Sequence, residues 1–167
     1  MEQNSCVSIY PGGGCLAKAL HSLQAAGSDL QQVSVLGKGG HAQVVPIGFC
    51  LTDRQARFWG PASATWAQVW QLLPDAACFW VPGNGALAAA GQIVSLMIRG
   101  ESEGVAGLSV PGKALYGLGI PRHSIEEYEQ AIHAEHYLLL VSGQRRDVER
   151  ACELLLGEAQ QVTVHSA

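Results

Sequence analysis

Three sets of residues in this chain have types and spacing that can do chemistry. Gly12-Gly13-Gly14 separates an alternating apolar segment from an amphipathic one. At such a strand-to-helix junction, bare backbone amides can hold an anion. Neither G-x-x-x-x-G-K-[ST] nor G-x-G-x-x-G is completed around it, so a plain turn is the stronger reading and ligand binding the weaker. His133, Glu135 and His136 are the nearest approach to a metal-ligand cluster, with His41 or His165 as the candidate third ligand. The pair lacks the H-E-x-x-H spacing and a neighbouring Cys, and a solvated helix end, with His133 facing the negative pole of the helix dipole, competes with it. Trp66, Trp70, Phe79 and Trp80 give one stretch a heavier aromatic load than the rest of the chain. They read as core or, as the serious rival, as anchors of an interface.

No nucleophile elbow of the G-x-S-x-G kind is present. Glu126, Glu127 and Glu129 read as the wet face of a helix. No catalytic residue, enzyme activity or cofactor is expected. The chain has 167 residues, 10 Lys plus Arg against 14 Asp plus Glu, and a net charge of −4. Without clustered basic residues there is no electrostatic footprint for nucleic acid. Charged residues make up 14% of the chain, well below the roughly 25% usual for globular domains, which favours an oligomer or a protein that works at a membrane surface. The five cysteines, at 6, 15, 50, 78 and 152, are odd in number and scattered. That suits buried thiols in a reducing compartment. With no leader-like N-terminus, the expected location is cytoplasmic, with attachment to a membrane surface as an option.

The elements that must position these residues form two similar units. Cys6–Tyr10 alternates as a strand. Leu16, Ala19, Leu20 and Leu23 then make one helical stripe, Gly27 stops it, and Val33–Leu36 is a second strand. Near the other end Tyr137–Val141 is a strand, Val148, Ala151, Cys152 and Leu155 repeat the stripe, and Val162–Val164 closes the unit. Two βαβ units of this kind join into one α+β sheet in the order 4-1-3-2, a ferredoxin-like fold. The core is then residues 5–36 and 137–165 of a single domain, with residues 37–136 as an insertion between the second and third strands. Within the insertion, 44–51 and 55–59 read as a hairpin and 65–73 as a short helix. Residues 105–118 read as helix or irregular chain. A capping box at Ser124 and Glu127 starts a helix bearing Ile125, Tyr128 and Ile132. Residues 76–98 carry no charge, but Pro82-Gly83-Asn84-Gly85 splits them below the ~20 residues of a membrane span.

Several of these motifs, in this order, resemble the bacterial general stress protein-like (YflT-type) domain family over nearly the whole chain. Val7-Ser8-Ile9-Tyr10, Leu20, Leu23, Gly27 and Ser34–Lys38 fit its first unit. Asp53-Arg54, Phe58-Trp59-Gly60, Trp66, Trp70 and Phe79–Gly83 fit its apolar insert, and Gly119-Ile120-Pro121, Ser124, Tyr128-Glu129 and Leu138–Val141 fit its return. The chain departs from the family at Ala67, Gln68 and Gln71, where glycines are usual, and at Gly12–Gly14, where polar residues are usual. The resemblance implies a stress-linked role and carries over no catalytic residues. A non-enzymatic protein that associates through its insert, most simply as a homodimer, is the leading expectation. Protein or membrane-surface partners are the variants of that reading, and a small-ligand or metal-binding regulatory domain is its rival.

Overall fold

A computed structural model describes residues 4–38, 48–51, 69, 72–73, 76–81, 85–99, 110–156 and 161–165. The fold is α+β. Its strands are β1 (Asn4–Tyr10), β2 (Val33–Lys38), β3 (Gly48–Leu51), β4 (Ala76–Val81), β5 (Gly85–Gly91), β6 (Tyr137–Gly143) and β7 (Gln161–His165). Its helices are α1 (Gly13–Ala25), α2 (Ile93–Arg99), α3 (Val110–Gly117), α4 (Arg122–His133) and α5 (Arg145–Leu155).

The strands form one sheet in the order β3-β4-β5-β2-β6-β1-β7, antiparallel at every junction. The four strands of the two βαβ patterns therefore lie side by side as β7-β1-β6-β2, the 4-1-3-2 order that the repeats require. β5, β4 and β3 continue the sheet past β2. The uncharged stretch 76–98 resolves into strand, strand and helix. Among the described residues, no helix is long and apolar enough to cross a membrane.

Every residue of β1 is buried. Successive side chains of a strand point to opposite faces, so burial of all of them requires a core on each side. On one face Cys6, Val35, Leu139 and Val141 pack with Leu16, Leu20 and Leu23 of α1 and Val148, Ala151 and Leu155 of α5. On the other, Val7, Ile9, Leu36 and Leu138 pack with Ile93 and Met97 of α2, Leu115 of α3 and Ile125, Tyr128 and Ile132 of α4. Each fully buried Leu or Ile contributes about 1.5–3 kcal/mol relative to exposure. The second sheet face is thus closed by the chain's own α2, α3 and α4. Low charge follows from two cores in one small domain and does not of itself call for a partner.

One local expectation is corrected. The fourth helix starts at Arg122 behind Pro121, with no side-chain cap, so Ser124 sits inside the first turn and the capping box is not formed. Pro121 holds φ at −66° and its carbonyl accepts from the Ser124 amide at 3.0 Å, which winds the chain two residues before the serine. Gly48–Leu51 pairs with β4; residues 55–59, its expected hairpin partner, lie outside the described residues. In the expected 65–73 helix, Leu73 N–H donates to Val69 O at 3.0 Å, and both side chains join the α1 face of the core.

Three helices end alike. After α1, Gly27 N–H donates to Gln24 O and Ser28 N–H to Leu23 O. After α3, Gly119 bonds Tyr116 and Ile120 bonds Leu115. After α4, Glu135 bonds Ile132 and His136 bonds Ala131. This is the Schellman pattern, which needs a left-handed residue at its turn. Gly27 (φ 78°) and Gly119 (φ 96°) supply it without strain, whereas the third position is Glu135 at φ 66°. Glu135→Gly is expected to raise the unfolding free energy by about 0.5–1 kcal/mol in denaturant titration. In contrast, a Cβ on Gly91 (φ 89°) would stand 2.1 Å from Val33 O on the neighbouring strand. Gly91→Ala is expected to cost at least about 2 kcal/mol in the same titration.

Candidate functional site

The chemistry-bearing residues of the sequence fall in separate places. Gly12 is the N-cap of α1 with an extended backbone (φ −150°, ψ 161°) and no side-chain cap, and the helix begins at Gly13. The glycines are therefore the start of α1 and not a loop standing clear of it. A Cβ on Gly12 or Gly14 would meet nothing within 4 Å. His133 is the last residue of α4 and Glu135 the left-handed turn residue beyond it; His133 is exposed and His136 half-buried. Among the described residues no group of three or more His, Cys, Asp and Glu is placed to hold a metal.

The aromatic set is divided. Trp66 and Trp70 lie outside the described residues. Phe79 and Trp80 occupy consecutive positions of β4, Phe79 opposite Phe49 and Leu87, Trp80 opposite Gly48 and Ala86. At the same level of the ladder Cys50 stands opposite Cys78. β3 and β4 carry no charged residue and no proline, and β3 ends the sheet among the described residues.

Sequence reasoning missed a part-buried polar contact that joins α4 to β7. Thr163 and His165 stand two apart on β7, hence on one face, opposite Val7 and Ser5 of β1. α4 lies over that face, with Tyr128 1% exposed. Tyr128 Oη is 2.6 Å from His165 Nε2, and the rings meet edge to face at 5.8 Å and 87°. Burial pushes the Tyr128 hydroxyl up to about 12, opposed by a hydrogen bond from Thr163. Burial holds His165 below the usual imidazole value, helped by the nearby charge of His123 and opposed by Glu127. With both groups neutral, Tyr128 donates and His165 accepts on Nε2, leaving the ring proton on Nδ1. A tyrosine ionising near 12 is poorly matched to proton transfer at neutral pH. The contact instead fastens edge strand β7 to the α4 layer. His165 carried only a candidate metal role in the sequence; its true partner lies 37 residues away in the chain, with no local signal to announce it.

No family profile, curated protein or solved structure matches the chain.

The sign of the pH dependence follows. A histidine whose folded value lies below its unfolded 6.5 leaves the unfolded chain binding more protons at acid pH. Stability from this group is full above 6.5 and falls as pH drops below it, until the folded ring also protonates. The tyrosine acts at the other end. Its unfolded value is 10.0 against about 12 folded, so stability falls as pH rises from 10 towards 12. Denaturant midpoints measured across this range should show both slopes in the wild type. Tyr128→Phe should lessen the alkaline one, to which the Cys6 thiol, also pushed up by burial, contributes as well, and His165→Gln should flatten the acid one.

Proposed function

We propose that the chain is a non-enzymatic association domain of the general stress protein-like (YflT-type) kind, whose outer insert strands pair with a second copy. On this reading β1, α1, β2, β6, α5 and β7 are a ferredoxin-like core, and residues 37–136 are an insertion. Support for the core comes from the β7-β1-β6-β2 order and from α1 and α5 sharing one face. The insertion then serves twice. Its helices close the second face, and its strands lengthen the sheet.

The observation that carries the association reading is the composition of that lengthened edge. Exposed edge strands are normally guarded by Lys, Pro or bulges because their free amides and carbonyls template pairing. Gly48-Phe49-Cys50-Leu51 has none of those residues and is backed by the equally uncharged Ala76–Val81. Pairing of β3 with its two-fold mate would continue the sheet across the dimer, the simplest closed symmetry. Trp66 and Trp70, which lie outside the described residues, remain proposed anchors, worth on the order of 2 kcal/mol each. A partner protein or a membrane surface would use the same edge and is a separate outcome of the test.

Light scattering at high micromolar concentration should give twice the chain mass. Phe49→Lys and Cys50→Lys place a charge on adjacent, alternating positions of the edge. Each should return the protein to a monomer that still unfolds cooperatively. A monomeric wild type, or variants that stay dimeric, would overturn the reading. Recruitment to anionic vesicles by a monomeric wild type would point to the membrane-surface variant instead.

A further inference from the structure

A second place on the molecule has the make-up of a binding site, and it stands on residues that the association reading does not use. A cavity of about 210 Å³ opens where the end of α1, the 3₁₀ turn Leu30–Gln32 and the start of α5 converge. Its floor is apolar, formed by Leu23, Val33 and Val141, all buried. Its rim carries Asp29, Asp147 and Arg150. The volume is below the roughly 300–1,000 Å³ of pockets for drug-sized ligands, so an occupant is metabolite-sized.

Opposite charges that line one small cavity normally pair with each other. Here, among the described residues, neither carboxylate forms an ion pair with Arg150. Each is held by something else, or by nothing polar. Asp29 Oδ1 accepts from the Gln31 amide at 2.9 Å, which fixes the carboxylate on the turn. Arg150 Nη2 donates to Ala26 O at 3.1 Å, which fixes the guanidinium across the end of α1. A guanidinium has five N–H donors, so that bond leaves others for a ligand. The rim therefore offers two carboxylates for a cation and a guanidinium fork for a carboxylate, beside an apolar surface that suits a short hydrocarbon group.

We propose that this cleft binds a small aliphatic α-amino acid as its zwitterion. The ammonium lies between Asp29 and Asp147, the carboxylate on Arg150, and the side chain on Leu23, Val33 and Val141. Binding would join the end of α1 to the start of α5 on the core side of the molecule, distant in the sheet order from β3.

The test is a titration followed by ¹H–¹⁵N NMR with L-valine, L-leucine and L-methionine. Isobutylamine and isovalerate serve as single-charge controls. At least one amino acid should give saturable shifts confined to amides around Gly27–Val33 and Asp147–Ala151, with neither control reaching the same affinity. Asp147→Asn and Asp29→Asn keep side-chain shape, and the second keeps the acceptor for Gln31. Each should weaken binding about tenfold. Arg150→Lys should do the same while retaining a donor for Ala26. Absence of saturable shifts with all three amino acids would overturn the proposal. So would unchanged affinity in all three variants, or amine binding as tight as that of the amino acids.

Discussion

The structure depends on one constraint: the central strands are buried on both faces. β1 has no exposed residue, and β6 is buried from Leu138 to Ser142. A two-layer arrangement with only α1 and α5 would leave Val7, Ile9, Leu36, Leu138 and Leu140 in water. Covering them takes a third layer, and the chain supplies it from residues 93–133. The layer of α2, α3 and α4 is thus half of the packing and not an appendage. The low charge content follows, because a domain with two cores has few positions left to solvate.

Polar contacts bolt that third layer in place at the points where it meets the sheet. Ser34 on β2 accepts the Ile93 amide at 3.0 Å, satisfying a first-turn donor of α2 that has no partner within its own helix. Ser5 on β1 donates to the Leu118 carbonyl at the end of α3 and lies 3.1 Å from the Ser142 hydroxyl. Tyr128 on α4 reaches His165 on β7. Each bond is worth only about 1 kcal/mol net, but leaving a buried member without its partner costs more. These serines and the tyrosine therefore set the register of helix against strand, which apolar packing alone leaves loose.

Much of the core was legible in the sequence because its signals are local. The stripes 16-19-20-23 and 148-151-152-155, the stop at Gly27, and the apolar run 138–141 each identify an element without knowledge of the rest. The fourth helix was legible from Ile125, Tyr128 and Ile132, although Pro121 moved its start. The outer strands were not. Gly85–Gly91 is mostly alanine, a residue with high helix and low strand propensity, and only its place between β4 and β2 makes it a strand. Polar contacts across the fold were invisible for a different reason. Arg150 meets Ala26 across 124 residues, and no periodicity records such a pairing. The glycines and the His pair were conspicuous by type, yet the structure sets them at a helix start and around a helix end, and of the aromatics it places Phe79 and Trp80 at consecutive positions of β4.

The central claim is that the helices on both sides form one cooperative unit around a sheet covered on both faces. Native-state hydrogen exchange in increasing denaturant tests it most directly, since it reports the opening free energy of each segment separately. The account predicts that the slowest amides of α4 and β5 open with the same free energy and the same denaturant dependence as those of β1 and β6. Opening of α2, α3 and α4 as a separate unit, at lower free energy and with β1 and β6 still protected, would contradict it.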